Sequence, residues 1–209
     1  LHCHIGSQIF EKDSFALAAE KMTDFYRRVK DELSCEFDVI NLGGGFGIYY
    51  TDEDRKLDVG GYAEYIVAVT ETLKRCVKEK QLKKAFLFLE PGRSVVGEAG
   101  ITLYTAGSVK KIEGVKNYVA VDGGMFDNPR HALYGSKYTA VLANRMNEKP
   151  CEMYSIAGKC CESGDIIAED CFLPQVKRGD IIAVLSTGAY NYSMASNYNR
   201  NAVPPAILV

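Results

Sequence analysis

The 209-residue sequence has no excess of basic charge and no hydrophobic run of membrane-spanning length. Its formal net charge is -2, so it lacks the electrostatic footprint of a nucleic-acid-binding protein. The longest apolar stretches fall well short of the roughly 20 residues that a membrane helix needs. With 47% hydrophobic and 25% charged residues, the composition is that of a globular protein with one large core or two small ones. We expect neither a nucleic acid nor a membrane as partner.

The chain also lacks any C-x-x-C pair, although it contains seven cysteines. Zinc sites and thioredoxin-like redox motifs commonly use that spacing, so the sequence predicts no metal site. A disulfide between adjacent residues is strongly disfavoured, because the Cα atoms of two neighbours are closer together than disulfide geometry requires. This usage predicts a reducing, cytoplasmic environment. The cysteines are Cys3, Cys35, Cys76, Cys151, Cys160, Cys161 and Cys171.

The octet GKCCESGD (158–165) places two of these cysteines before two acidic residues. With metal binding and a bridge between neighbours set aside, a reactive thiol and a buried small hydrophobe remain as interpretations. The ends of the sequence raise a separate point. It opens on LHCHIGSQ without an initiator methionine and closes on PPAILV as if within a strand. We therefore expect a piece of a longer polypeptide.

Up to about residue 95 the pattern predicts alternating helices and strands. Apolar residues recur at helical spacing over 14–33, with Ser14 as a candidate N-cap, and again over 61–81. The runs 37–47 and 84–94 read as short apolar strands that end in glycine or proline. Strands separated by a helix in this way predict βαβ units and a parallel sheet.

After residue 95 the helical period fades and short β-rich runs follow, with a possible short helix near KYTAVLANR (137–145). The sequence therefore predicts two domains, an α/β domain over 1–100 and a mostly β domain over 101–209. The five β-rich runs are AGITLYTAGSVKKI, NYVAVDGG, CEMYSIAG, GDIIAED and GDIIAVLSTGAY.

Polar or glycine clusters follow directly on three apolar segments, at 4–7, 43–45 and 90–93. In α/β barrels and open α/β sheets the carboxyl ends of parallel strands carry the active site. Three unrelated turns would give the same pattern, but three successive strand ends of this kind favour a functional edge. We expect these clusters to lie together.

The glycine run NLGGGFG matches neither the dinucleotide fingerprint nor the phosphate-binding P-loop. Its glycines still allow backbone N–H groups to approach a phosphate, or simply form a tight turn. His2 and His4 share a face of a strand, and each is either a core histidine or, for His4, a ring that stacks on an aromatic cofactor. Glu90 and Arg93 form either a local ion pair or a cofactor contact in which Glu90 faces a ring nitrogen.

Arg130 and Tyr134 lie four residues apart in a polar stretch. They are placed either to hold a carboxylate jointly or to occupy an exposed loop. His131 between them reads as a surface polar residue. The three tyrosines of GAYNYSMASNYN (188–199) either cap a core or line a site.

Taken together, the sequence resembles the diaminopimelate decarboxylases, which are alanine-racemase-like, fold-type III pyridoxal-phosphate enzymes related to ornithine and arginine decarboxylases. Six blocks in family order carry the resemblance and span nearly the whole chain. They are HIGSQ (4–8), GGGFG (43–47), EPGRS (90–94), VDGGM with RHALYG (121–135), CESGD (161–165) and GAYNYSMASNYN (188–199).

This resemblance implies an α/β fold: the last three strands of a (β/α)8 barrel followed by a mostly β C-terminal domain. It implies a head-to-tail homodimer with active sites shared across the interface. The implied reaction is decarboxylation of meso-2,6-diaminopimelate to L-lysine with pyridoxal 5'-phosphate, the last step of lysine biosynthesis. An ornithine- or arginine-type decarboxylase and a catalytically inactive fragment are the alternatives.

Residue roles follow from the same resemblance. The cofactor contacts would be His4 stacked on the ring, Ser7 beside the phosphate, Gly43, Gly44 and Gly45 around the phosphate, Glu90 at the ring nitrogen, Gly92, Arg93 and Tyr190. The substrate contacts would be Arg93, with Arg130 and Tyr134 on the distal carboxylate and Glu162 on the distal ammonium. The catalytic residues would be His4 and Cys161, the latter as proton donor from the other subunit.

Several positions depart from the family pattern. Lys159 stands where proline is frequent, His131 enters the RHALYG block and is expected to loosen it, and Asn191 takes a usually small position. No lysine matches the one that binds the cofactor covalently, so we expect the fragment alone to be inactive and to expose apolar edges. Next to Cys161, we expect Cys160 to be a buried small hydrophobe.

Overall fold

A computed structural model describes residues 1–209, which form two compact units. The first comprises Leu1–Tyr49 and Arg55–Val95, and the second comprises Tyr50–Asp54 and Val96–Val209. The division falls about where the helical period of the sequence fades, although the short segment 50–54 groups with the second unit. The assignment of 1–100 and 101–209 as separate functional domains stays a prediction.

The first unit contains two long helices and a small parallel sheet. Strand β1 pairs in parallel with β2, from Val39 opposite Phe86 to Asn41 opposite Phe88, and His2 bridges in parallel to Asn41 on the other side. Three parallel segments in this order confirm the predicted βαβ connections. The elements are α1 (Lys12–Leu33), β1 (Val39–Asn41), α2 (Val59–Glu79), β2 (Phe86–Phe88) and the short α3 (Arg93–Val96).

The start of α1 differs from the prediction. Glu11, not Ser14, is the N-cap, and no side chain caps the helix. The Ser14 N–H donates to the Glu11 carbonyl at 3.1 Å, so Ser14 lies inside the first turn. Helix α2 begins at a side-chain cap instead, because the Asp58 carboxylate accepts from the Gly61 N–H at 2.7 Å.

An aromatic cluster fills the core of the first unit. The rings of Phe15 and Phe46 stack at 4.6 Å between centroids, and Tyr65 meets Phe15 edge-on at 5.6 Å. All three are buried, and the Tyr65 hydroxyl donates to the Phe10 carbonyl at 2.5 Å. Since Phe15 comes from α1 and Tyr65 from α2, this cluster fixes both helices against the segment after β1 that carries the glycine run.

Strand β2 leaves an apolar surface uncovered, as the sequence predicted. Phe86 is 74% exposed and Phe88 is 52% exposed. Large exposed aromatic side chains on a parallel strand are unusual, because parallel sheets are normally covered on both faces. Aggregation through this edge, or its burial by further chain, stays a prediction.

The second unit is built on one six-stranded sheet in the order β5-β8-β3-β4-β6-β7. All neighbours are antiparallel except β4 and β6. The end strands β5 and β7 contact each other, so the sheet is nearly closed. All five predicted β-rich runs are confirmed. The strands are β3 (Thr102–Ile112), β4 (Lys116–Val121), β5 (Ala140–Leu142), β6 (Glu152–Ala157), β7 (Ile166–Leu173) and β8 (Ile181–Val184).

The short helix predicted near KYTAVLANR is confirmed only at the end of that segment. Residues Ala140–Leu142 form β5, which pairs with β8, and only Ala143–Arg145 turn as a short 3-10 helix. The burial of Ala140 and Leu142 alternates with a less buried Val141, which is the period of a strand. Two short helices complete the unit: α4 (Arg130–Tyr134) and α5 (Asn191–Met194). No helix of the molecule combines the length and hydrophobicity required to cross a membrane.

Candidate functional site

The predicted strand-end residues of the first unit come together in the structure. We call this group the strand-end cluster: His4, Ser7, Gly43–Gly45, Glu90 and Arg93. The ladder between β1 and β2 continues past the strands, where the Leu42 N–H donates to the Phe88 carbonyl at 3.0 Å and the Glu90 N–H to the Gly43 carbonyl at 2.8 Å. The carboxyl ends of the parallel segments therefore form one edge, as the sequence predicted.

The three glycines are required by the close approach of backbone segments. Gly43 and Gly45 have φ of 68° and 104°, in the region that favours glycine. A Cβ at Gly44 would meet the Glu90 carbonyl oxygen, and one at Gly45 would meet the carbonyl of Gly6. Any side chain would push these segments apart, so the run lies against both neighbouring segments as bare backbone.

His4 is held by one edge of its ring. The Gly44 N–H donates to His4 Nδ1 at 3.3 Å. The residue is otherwise exposed. A fixed ring with an open face is what stacking on a planar ligand needs.

Glu90 belongs to a small polar network. Its Oε1 accepts from Asn41 Nδ2 at 2.7 Å and lies 3.7 Å from His2 Nε2. Asn41 Oδ1 in turn accepts from the Gly43 N–H at 2.8 Å. Asn41 thus orients the carboxylate and the glycine run together, and sequence reasoning missed it. Its one signal was a polar residue at the end of the apolar run FDVIN.

Arg93 and Ser7 are joined directly. Arg93 is only 8% exposed, and its Nη2 donates to Ser7 Oγ at 2.8 Å. Gly92 is exposed just before α3, where its carbonyl accepts from the Val95 N–H at 3.1 Å. The arrangement combines a cation, a hydroxyl and glycine backbone in one place, which is a donor set suited to an anion.

In the second unit, Arg130 is a buried cation without an ion-pair partner. It is 7% exposed, its Nε has no hydrogen-bond partner, and its Nη1 donates to the sulfur of Met194 at 3.9 Å. Its guanidinium also lies beside the Tyr138 hydroxyl. Burial raises the pKa of Tyr138 overall, while the charge of Arg130 and a hydrogen bond from it act to lower that pKa. Its guanidinium carbon lies 5.4 Å from the Tyr134 ring centre and 5.6 Å from that of Tyr190. Since a buried charge is costly unless it is paired, this site is suited to an anionic ligand.

Tyr190 and its neighbour are held in specific ways. Tyr190 adopts a left-handed φ of 73° and is 43% exposed. Asn191 is buried, and its amide exchanges hydrogen bonds at 3.4 to 3.5 Å with the Tyr138 hydroxyl. The larger side chain at position 191 is thereby accommodated.

The interpretation of His131 as a loosening surface residue is wrong. Its side chain is 19% exposed and its Nε2 lies 3.9 Å from a Glu169 carboxylate oxygen. Its Nδ1 is 3.1 Å from the Ser136 carbonyl. These contacts tie α4 to the following loop and to β7, because Glu169 belongs to that strand.

The octet GKCCESGD, which we call the twin-cysteine turn (residues 158–165), presents its two thiols differently. Cys161 is exposed, and its N–H donates to Asn199 Oδ1 at 3.0 Å. Cys160 is partly buried, less than predicted, and burial together with the Asp165 carboxylate raises the pKa of its thiol. Glu162 accepts from the Tyr198 hydroxyl at 3.4 Å. The exposed thiol is therefore the second of the pair.

Lys159 makes a bond that proline at this position would not allow. Its backbone N–H donates to the Gly123 carbonyl at 3.0 Å, and its ammonium lies 5.2 Å from the Phe126 ring centre. Because proline has no N–H, this link between the turn and residue 123 depends on the substitution.

Asp127 is buried beside this turn and titrates unusually. Its Oδ1 accepts from the Tyr104 hydroxyl at 2.5 Å and its Oδ2 from the Gly124 N–H at 3.0 Å. Burial outweighs these bonds and, with the nearby charge of Asp165, raises the pKa of Asp127 to about 6. Between about pH 4 and pH 6 the folded protein therefore keeps a proton on Asp127. The unfolded chain has already lost this proton, because the ordinary pKa of the carboxyl is 3.8.

Because the pKa of this carboxyl is higher in the folded state, its contribution lowers the free energy of unfolding as pH rises from about 4 to about 6. Above about pH 6 this contribution no longer changes with pH. The loss contributed by Asp127 is about 3 kcal/mol at most. We predict that the melting temperature of Asp127→Asn, relative to the unsubstituted full-length protein, rises between pH 4 and pH 7. Thermal unfolding of both proteins across this range is the measurement. A difference that stays constant with pH would contradict the assignment.

Comparison with known proteins finds a family model that matches the part of the chain containing the strand-end cluster. Residues 1–97 match the family model described as the pyridoxal binding domain of pyridoxal-dependent decarboxylases. The chain is 52% identical over 213 residues to the diaminopimelate decarboxylase of Bacillus subtilis, with 100% of the chain and 47% of that protein covered. It is 51% identical over 209 residues to that of Bacillus methanolicus, covering 48% of it. The chain thus spans about half the length of these relatives.

Solved structures give the same picture. The diaminopimelate decarboxylase of M. jannaschii in complex with L-lysine superposes with a TM-score of 0.84 at 36% identity, over 97% of this chain and 45% of that one. A lysine/ornithine decarboxylase of Vibrio vulnificus superposes with a TM-score of 0.80 at 20% identity, which shows a shared fold only.

Proposed function

We propose that the chain serves in a diaminopimelate decarboxylase, because residues 1–97 match the pyridoxal-binding domain model and the whole chain is similar to part of such enzymes. The full-length protein would decarboxylate meso-2,6-diaminopimelate to L-lysine. The chain spans about half of its relatives, and we propose that it supplies the last three barrel strands and the β-rich C-terminal domain. A homodimer with shared active sites is part of this proposal.

The strand-end cluster supports pyridoxal 5'-phosphate as the cofactor. Gly43–Gly45, Ser7 and Arg93 would bind its phosphate, since they combine bare backbone with a hydroxyl and a buried cation. Glu90 would hold the ring nitrogen protonated, and His4 would cover one face of the ring. When bound, the cofactor supplies an electron sink for the carbon that loses carbon dioxide.

The phosphate-binding role proposed for the strand-end cluster gives a prediction for Gly44. In Gly44→Ala the new methyl group would meet the Glu90 carbonyl, and the loop must shift. We expect the Kd for pyridoxal phosphate to rise about tenfold or more, because lengthening two N–H contacts worth about 1 kcal/mol each has that effect. Gly114→Ala is the control, since Gly114 lies in the second unit and a Cβ there meets nothing within 4 Å, so that only the local strain of its φ of 68° is added. Absorbance titration of the full-length protein measures the Kd, and equal values for both variants would contradict the assignment.

Arg130 is the single observation that carries the substrate proposal. A buried guanidinium with no protein carboxylate, set between Tyr134 and Tyr190, matches a substrate that brings its own carboxylate. Diaminopimelate keeps its second carboxylate through the reaction. Ornithine and arginine have none beyond the one that is lost, so they would leave Arg130 unpaired.

The twin-cysteine turn would act in the neighbouring subunit's site. Cys161 presents an exposed thiol, which we propose as the proton donor to the carbon that has lost carbon dioxide. Glu162 would recognise the distal ammonium of the substrate. Its link to Tyr198 limits the rotation of that carboxylate.

The test is a product assay with the full-length protein and pyridoxal phosphate. Amino-acid analysis after incubation with meso-diaminopimelate, ornithine or arginine should show lysine from the first and little product from the others. If the diamine from ornithine, or agmatine from arginine, is released faster than lysine from diaminopimelate, the protein is an ornithine- or arginine-type decarboxylase instead. The 209-residue chain assayed alone should be inactive.

A further inference from the structure

Asp165 is a buried carboxylate that the assignments above leave without a role. It is 3% exposed and makes no ion pair. Its Oδ1 accepts from the Met125 N–H and its Oδ2 from the Cys160 N–H, both at 2.6 Å. Each oxygen thus takes a backbone donor from a different segment of the chain, one at the end of the VDGGM block and one in the twin-cysteine turn.

The backbone of the same residue closes the turn. The Gly158 N–H donates to the Asp165 carbonyl at 2.8 Å, and the Asp165 N–H donates to the Glu162 carbonyl at 3.1 Å. Cys161 and Glu162 therefore lie on a loop whose base is fixed through one residue. Both ends of that residue, backbone and side chain, are engaged.

Two glycines make room for this carboxylate. A Cβ at Gly124 would lie 2.7 Å from Asp165 Oδ2, and a Cβ at Gly158 would also meet the Asp165 carboxylate. The glycines are needed because the carboxylate sits directly against both backbones. A longer acid such as glutamate has no space here, since the contacts on both sides are already close.

We propose that Asp165 is a positioning residue that ties the twin-cysteine turn to residues 123–125 and so fixes where Cys161 and Glu162 lie. The proposal rests on the proposed function, in which those two residues meet the substrate. The carboxylate is needed because two N–H donors require two acceptor oxygens. Asparagine offers only one, and its amide nitrogen would face the other N–H.

Asp180 provides a matched control for the loss of a buried carboxylate. It is 5% exposed in the same unit and accepts from the Lys177 N–H at 2.8 Å, and it also pairs with Arg145 at 2.7 Å. These contacts lie at the turn before β8. Asp180→Asn therefore removes a comparable anchor without touching residues 158–165.

The experiment compares Asp165→Asn, Asp180→Asn and the unsubstituted full-length protein by two readouts. The first is kcat and KM with meso-diaminopimelate. The second is the rate at which iodoacetamide alkylates Cys161, followed by peptide mass spectrometry. We expect Asp165→Asn to lower kcat about tenfold or more, because misplacing a catalytic group is costly. We expect it to change the alkylation rate about threefold or more. Asp180→Asn should stay within about twofold on both measures.

The two readouts separate this inference from the proposed function. An unsubstituted protein that does not decarboxylate diaminopimelate overturns the proposed function, while the alkylation rates still decide on Asp165. An unchanged alkylation rate in Asp165→Asn overturns the positioning role. Equal effects of both substitutions overturn it as well, since general destabilisation would then explain them.

Discussion

Cys161→Ala in the full-length protein is expected to lower kcat for diaminopimelate by about 10²- to 10⁴-fold, the usual contribution of a positioned proton donor. The thiol is exposed on the twin-cysteine turn and carries no structural contact of its own beyond its backbone. Its removal should therefore leave the melting temperature and the Kd for pyridoxal phosphate nearly unchanged. Stopped-flow or steady-state release of carbon dioxide measures the effect.

Cys160→Ala is the matched control, since it changes the same atoms one residue away. Cys160 is partly buried, its sulfur lies 3.8 Å from Asn201 Nδ2, and burial raises the pKa of its thiol. It should lose some stability through packing and keep kcat within about threefold of the unsubstituted value. Equal and small effects of the two substitutions on kcat would contradict the assignment of Cys161 as proton donor.

Arg130→Met is expected to lower kcat/KM for diaminopimelate by about 10²- to 10³-fold, because a charge-assisted pair with a desolvated carboxylate is lost. Methionine keeps much of the volume and removes the charge. The guanidinium has no protein carboxylate to leave behind. The melting temperature should therefore stay equal or rise, since an uncompensated buried charge is removed.

Arg145→Met should show the opposite pattern. Arg145 lies 2.7 Å from Asp180 and also pairs with Glu148, so its loss leaves Asp180 unpaired. We expect a lower melting temperature with kcat/KM within about threefold of the unsubstituted value. If Arg130→Met instead unfolds the protein while keeping kcat/KM per folded molecule, Arg130 is a structural residue.

The parts of the fold that follow local pattern were predictable. Apolar runs ended by glycine or proline located the strands, and the 3.6-residue period located α1 and α2. The glycines at 43–45 also indicated that another part of the molecule or a ligand lies close to their backbone. Their spacing did not identify what approaches, which the structure shows to be the segments after His4 and after β2.

One error concerned a local preference that was misread, and another arose where tertiary pairing outweighs local preference. Ser14 resembles a cap, but the helix continues two residues upstream because Lys12 and Asp13 are compatible with helical geometry. Residues 140–142 lie in a segment whose sequence suggested a helix. They form a strand because they pair with β8. The pattern of residues 140–142 alone does not indicate which distant strand they pair with.

The missed residues of the site share one property, namely that their role depends on contacts distant in the chain. Asn41 lies 49 positions from the Glu90 that it orients, and Asp165 accepts from Met125 across 40. Single side chains of this kind show no periodicity. Only the folded chain brings the pairs together.

The most direct test of this account compares meso-diaminopimelate with D-lysine as substrates of the full-length protein. D-lysine keeps the reacting centre and the distal ammonium and lacks only the distal carboxylate that Arg130 would hold. We predict that kcat/KM favours diaminopimelate by about 10²-fold or more, and that this preference falls close to one in Arg130→Met. Equal kcat/KM values for the two substrates in the unsubstituted protein would contradict the account.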